Sequence, residues 1–115
     1  LRRQRQMCIR DRATSEYNGG YPAPLKNAID FLYGEWTKKP LGIIAWSSSP
    51  RGGAKSAAAL AGVATHMGLN LLDDPLLYPE FTKDFQDDGS FTANSEWSES
   101  ATALVQGLEA AAGAQ

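Results

Sequence analysis

The sequence predicts an α/β layer built on a parallel sheet. Three observations carry that prediction. Leu41 to Trp46 is apolar at every position, as a strand buried on both faces requires. Amphipathic helical segments stand before and after it, so helices and strands alternate. Glycine-rich loops follow the strand positions, where open α/β sheets bind their ligands.

The elements follow in chain order. Residues 13–24, ATSEYNGGYPAP, form a polar Gly/Pro-rich loop. Pro24 suits a first helical turn, and Leu25, Ala28, Ile29, Leu32, Tyr33 and Trp36 recur at helical spacing, predicting one amphipathic helix over 24–36. Phe31 falls off that stripe and reads as an exposed aromatic or a contact with a second subunit. Lys38-Lys39-Pro40 breaks the helix before the strand over 41–46. Ser47 to Gly53 is the loop at that strand's carboxyl end. An alanine-rich helix follows over 54–67, with Ala57, Leu60, Val63, Ala64 and Met67 on its packing side and Gly68 as its stop. Leu69 to Leu72 is a short second strand. Residues 73–93 read as irregular and acidic, with a turn at Asp87-Asp88-Gly89. Asn94 is the expected N-cap of a final helix whose stripe is Trp97, Ala101, Leu104, Val105 and Leu108. The tail from Ala110 is expected to fray. Two strands make no stable sheet alone, so the chain reads as starting in the middle of a fold.

Composition limits the function. The 115 residues are 43% hydrophobic and 21% charged, which suits one globular domain. No run of about 18 apolar residues is present, so no membrane-spanning helix is expected, and no signal peptide is read at the start. Cys8 is the single cysteine and His66 the single histidine. They rule out an intrachain disulfide and a metal site built on cysteine clusters or paired histidines. A cytoplasmic location is the expectation.

The net charge of −2 conceals an uneven distribution. Arg2, Arg3, Arg5, Arg10 and Arg12 lie in the first twelve residues with one acid, Asp11, leaving six basic against twelve acidic residues beyond them, a charge of −6. A basic arm on an acidic domain is one signature of nucleic-acid binding. Here the segment has no apolar period, aromatic residue or cap, and RQMCIRDR resembles translated sequencing-adapter read-through. Residues 1–12 are therefore read first as non-native, second as a disordered basic arm and third as functional. No nucleic-acid partner is expected, and residues 13–115 are taken as the domain.

Two loops are candidates for ligand binding. One contains Glu16, Tyr17, Asn18 and Gly19; the other contains Ser47, Ser48, Arg51, Gly52 and Gly53. Their glycines permit close approach to the backbone, and their N–H groups lie near helix starts. Each residue also has an ordinary reading. Glu16 is a lone carboxylate without an evident partner for acid–base work. Tyr17 reads as a half-buried loop aromatic, Asn18 as a turn residue, and Arg51 and His66 as solvated. Ser47-Ser48-Ser49 lacks the G-x-S-x-G elbow of a serine nucleophile. The stretch Gly52-Gly53-Ala54-Lys55-Ser56 is no phosphate-binding P-loop, because Ala54 separates glycine from lysine. No catalytic acid, base or nucleophile is assigned.

Glu16-Tyr17-Asn18-Gly19, Pro22 and Leu25-Lys26-Asn27-Ala28-Ile29-Asp30 resemble the PEYNGS-x-P-x-x-LKNAID stretch of NADPH-dependent FMN reductases. Lys39-Pro40 and the strand after it, the S-x-x-x-x-GG pattern of Ser47 to Gly53, Asp74-Pro75 and the Asp87-Asp88-Gly89 region extend the resemblance to about Leu108. Ser15 stands where the family usually has proline, and Gly20 where serine is common. The resemblance implies a flavodoxin-like three-layer α/β/α fold, truncated at its N-terminus, because nothing matches the family's Ser/Arg-rich phosphate loop. It implies FMN held at the ring by backbone amides of Glu16, Tyr17, Asn18 and Gly19 on one side and of Ser48, Gly52 and Gly53 on the other. It also implies NADPH or NADH as donor, a small-molecule acceptor such as a quinone, and a homo-oligomer, dimer or tetramer. On this reading the parent is an enzyme and the piece alone inactive. A flavin-binding electron-transfer or redox-responsive module on the same fold is the alternative.

Overall fold

The computed structural model describes residues 10–72 and 74–113. Four strands form one sheet, and every strand pairing in it is parallel. β1 (Arg10–Ser15) runs beside β2 (Pro40–Ser47), with Arg10 opposite Leu41 and Ser15 opposite Trp46. On the other side of β2, β3 (Asn70–Leu71) pairs with its first residues and β4 (Leu76–Pro79) with its last. β3 and β4 therefore occupy one strand position, interrupted near Pro75. The helices are α1 (Ala23–Asp30), α2 (Ala54–His66) and α3 (Ser95–Gly113), with short 3-10 turns at Gly34–Trp36 and Phe81–Asp84.

The period of two in a strand sets the layers. Leu41, Ile43 and Ala45 are buried against Ile29, Trp36, Ala57, Leu60, Ala64 and Met67, from the α1 and α2 side. Gly42 points the other way. A Cβ there would lie 3.0 Å from Leu108 and 3.2 Å from Leu104 of α3. The result is the expected α/β/α sandwich, with β2 as its central strand.

Four elements differ from the sequence expectation. The strand entering the site begins at Arg10, so Arg10–Arg12 pair in register with Leu41–Ile43 and do not lie outside the sheet. Strand pairing uses backbone groups that every residue but proline supplies, so a charged stretch extends a ladder without an apolar pattern. The remaining residues of the expected arm, 1–9, lie outside the described residues.

The first helix ends at Asp30, short of Trp36. The indole N–H of Trp36 donates to the Ile29 carbonyl at 3.0 Å, which also accepts the Leu32 amide at 3.4 Å, so Trp36 reaches the core from a separate turn. Residues 76–79 form a strand where irregular structure was expected, because the acidic residues and Pro75 mask a short apolar run. Finally, α3 continues to Gly113, past the point where fraying was expected.

Several caps agree with expectation. Gly68 has φ +75°, its N–H donates to Thr65 and that of Leu69 to Ala64, a Schellman ending for α2. Asn94 caps α3, its side-chain oxygen accepting the Trp97 amide at 2.8 Å. Asn94→Ala is expected to cost about 1 kcal/mol. In urea denaturation of the full-length protein the midpoint should fall with an unchanged slope.

Tyr78 ties β4 to this helix start. Its hydroxyl donates to Asp84 and accepts from the Asn94 amide, and its ring lies 4.7 Å from that of Trp97. Burial, reinforced by the Asp84 hydrogen bond, raises the phenol above its ordinary pKa.

Candidate cofactor site

Three strand ends meet at the carboxyl edge of the sheet. β1 ends at Ser15, opposite Trp46, and β2 ends one residue later at Ser47; β4 ends at Pro79 opposite Ser47. Both loops expected from the sequence leave from this edge.

The first loop is a tight hairpin turn. Tyr17 and Gly20 exchange both backbone hydrogen bonds, at 2.8 and 2.9 Å, across Asn18 and Gly19. Asn18 has φ +51° and Gly19 φ +76°. Positive φ at both central positions defines a type I′ turn, for which Asn-Gly is the favoured pair. Tyr17 is 64% exposed. Its amide is committed to Gly20, so it is not free for a ring as expected, while Asn18 and Gly19 sit at the exposed tip.

The second loop is braced by its own hydroxyls. Ser47 Oγ donates to Ser49 Oγ at 3.0 Å and accepts the Ser49 amide at 3.1 Å. The Ser49 carbonyl accepts the amides of Gly52 and of Glu80, the latter tying the loop to the end of β4. The Gly52 amide is therefore engaged as well. Gly52 and Gly53 are buried, and protein fills the space beside them. A Cβ on Gly52 would stand 2.8 Å from Pro79 N, and one on Gly53 2.9 Å from the Ala45 Cβ. These glycines let the loop press against β4 and β2 at the entry into α2. Ser48 and Arg51 are exposed, and Arg51 forms no ion pair with a described residue.

Residues not singled out from sequence lock the two loops together. Ser56, in the first turn of α2, is fully buried and donates to the Ser15 carbonyl at 2.9 Å. Thr14, 2% exposed, lies 3.5 Å from the same hydroxyl and donates to Ser15 as well. Lys55 passes beside the hairpin tip, 3.5 Å from where a Gly19 Cβ would sit. The signal was present: a serine on the buried face of an alanine-rich helix needs a partner. Glu16 is half-buried, and its Oε2 is covered without a donor. His66 is exposed on α2, far along the chain from these loops, as expected. Among the described residues no group of acids, histidines or cysteines is arranged to hold a metal.

Ligand loops at the carboxyl end of a parallel sheet between helical layers define the flavodoxin-like class of nucleotide-binding folds. The solved flavoenzyme NAD(P)H:(acceptor) oxidoreductase FerB of Paracoccus denitrificans superposes with a TM-score of 0.67 at 29% identity, over 96% of this chain and 62% of that one. The family model for NADPH-dependent FMN reductases matches residues 12–83. An NAD(P)H-dependent FMN reductase of Schizosaccharomyces pombe is 53% identical over 51 residues, which are 44% of this chain and 24% of that protein. One of Saccharomyces cerevisiae is 42% identical over 59 residues, 51% of this chain and 30% of that protein. The chain belongs to the NADPH-dependent FMN reductase family. It matches less than a third of the length of these curated relatives.

Proposed function

We propose that the chain is the C-terminal part of an FMN-dependent NAD(P)H oxidoreductase and supplies the ring-binding half of its flavin site. The observation that carries this is the Ser56 hydroxyl, which fixes the hairpin turn and the serine loop side by side at the carboxyl edge of the sheet. Glu16, Asn18, Gly19, Ser47, Ser48 and Arg51 border the ring; Tyr17, Gly52 and Gly53 hold the shape of that border. Bound FMN supplies the redox chemistry, accepting hydride from the nicotinamide and delivering electrons to a quinone, flavin or similar acceptor. The chain's own residues orient the ring and set its polar surroundings, and none is asked to act as acid, base or nucleophile.

The phosphate site belongs to a segment preceding β1 in this reading. A cytoplasmic location fits the single cysteine, and no helix among the described residues is long and apolar enough to cross a membrane. The test is stopped-flow mixing of the FMN-loaded full-length protein with NADPH. Bleaching of the flavin band within the turnover time supports the enzyme; reduction far slower than any turnover favours the non-enzymatic module.

The assembly is proposed as a homodimer through α1 and α2. Phe31 is 78% and Tyr33 63% exposed, and Tyr33 lines a groove of about 630 Å³ between the helices, with Lys26, Gly62 and His66. Exposed aromatic rings beside a groove are a usual feature of subunit contacts. Phe31 makes no core contact, so Phe31→Asp should leave the protomer folded and shift it to monomer. Sedimentation equilibrium that shows an unchanged dimer rejects this interface.

A further inference from the structure

Ile44 and Trp46 alternate with Ile43 and Ala45 along β2, so they face the α3 side of the sheet. On that side a cleft of about 340 Å³ lies between Trp46, Tyr78, Phe81, Phe85, Phe91 and Trp97, with Ile44 completing its lining. Pockets for small molecules span about 300–1,000 Å³. Bonds made around the cleft fix its shape. Phe85 and Phe91 pair across an antiparallel bridge, and the Thr92 amide donates to the Asp84 carbonyl at 3.2 Å. The Tyr78 hydroxyl donates to the Asp84 carboxylate and accepts the Asn94 amide, which ties β4 to the start of α3. The rings meet at tilted angles, 54° for Tyr78 with Trp97 and 55° for Phe85 with Phe91, so neither pair stacks face to face. Phe85 and Phe91 stay 47% and 44% exposed. One polar group at this cleft is unsatisfied. The indole N–H of Trp97, in the first turn of α3, is covered by protein and donates to no described residue. A buried indole N–H usually has an acceptor, and going without one costs free energy.

We propose that this cleft binds an uncharged aromatic carbonyl compound, whose rings pack among Trp46, Phe85 and Phe91 and whose oxygen accepts the Trp97 indole N–H. Each part of that ligand answers a feature of the cleft. The aromatic lining favours the faces and edges of flat rings. None of the described lining residues carries a charge, so an ionised guest would lose its hydration without gaining a partner. The Tyr78 hydroxyl is already engaged, and the Trp97 N–H is left to select an acceptor over a bare hydrocarbon. The cleft uses neither the hairpin turn nor the serine loop, so this inference does not depend on the flavin reading.

The test uses the full-length protein, with and without FMN, and two probes of one shape. These are 2-acetylnaphthalene and 2-isopropenylnaphthalene, in which a methylene group replaces the ketone oxygen. Equilibrium dialysis gives both affinities, and the indole N–H resonances report on the tryptophans, that of Trp97 being identified by its loss in Trp97→Phe. The ketone should move the Trp97 resonance further downfield than the alkene does. Trp97→Phe keeps a ring and removes the donor, so the ratio of ketone to alkene affinity should fall about fivefold, the range for one neutral hydrogen bond. Phe91→Ala should weaken both probes several-fold. An unchanged ratio in Trp97→Phe overturns the proposal. So does the absence of probe binding to the full-length protein, the result expected if its preceding half fills the cleft. A ketone that binds over the flavin instead would perturb the flavin absorption band and ignore both substitutions, and that also overturns it. If Trp97→Phe fails to fold, Phe91→Ala and the wild-type indole shift still decide. Binding measured without FMN decides this inference whatever becomes of the flavin reading.

Discussion

Gly53→Ala is expected to destabilise the fold by several kcal/mol. Two costs coincide at this position. Gly53 has φ +84°, where an alanine is strained by about 1–2 kcal/mol. Its Cβ would also meet the Ala45 Cβ at 2.9 Å and the Trp46 backbone at 3.1 Å, in the central strand of the sheet. Overpacking against atoms that cannot move aside costs about 1–3 kcal/mol more. Gly52→Ala should behave similarly, since φ is +61° and the obstruction is the Pro79 backbone at 2.8 Å. Gly107→Ala is the contrasting case. Gly107 lies within α3 with open space around it, and alanine there should stabilise by about 0.5–1 kcal/mol. Urea denaturation of the full-length variants checks all three. A Gly53→Ala protein as stable as wild type would show that the serine loop does not press against β2 in this way.

Much of this architecture was legible in the sequence, for physical reasons that differ by element. β2 was readable because a strand buried on both faces has no polar position to disguise it. The final helix was readable because Asn94 carries the cap and Leu104 and Leu108 fall on one face; both are buried. β4 was not readable, since its four residues take their strand identity from pairing with Ile44–Ser47, a tertiary contact with no local signature. Trp36 misled for a related reason. It matches the helical period of the preceding segment, yet it is buried through a separate turn that bends back to cap Ile29.

The candidate site divides in the same way. Asn18-Gly19 announced its turn, because few residue pairs accept two positive φ values. Gly52 and Gly53 were rightly placed in a loop, but sequence could not show that β4 and β2 stand so close beside them that a side chain would not fit. Thr14 and Ser56 lie 42 positions apart, and only the fold reveals that both serve the Ser15 carbonyl.

The isolated 115-residue chain should bind FMN about two to four powers of ten more weakly than the full-length protein. A flavin mononucleotide needs a rim for its ring and a nest of donors for its phosphate. In the proposed site the hairpin turn and the serine loop form the rim. The nest is proposed to lie in the segment preceding β1. Each charge-assisted bond to a phosphate contributes about 1.5–3 kcal/mol, and about 1.4 kcal/mol is tenfold in affinity, so the loss of two such bonds accounts for the expected range. The sheet adds to the effect. β1 carries the hairpin turn, and among the described strands it pairs with β2 alone. A strand held on one side frays more readily than one paired on both, and a mobile Ser15 would carry the turn away from the serine loop despite the Ser56 hydroxyl. Binding should therefore be weak, and NADPH-dependent flavin reduction by the piece alone should be undetectable. Adding the preceding half of the protein, in one chain, should restore both. A flavin titration in which the isolated chain binds FMN at micromolar concentration or tighter would show that the phosphate is held within these 115 residues, and the division of the site between two halves would have to be abandoned.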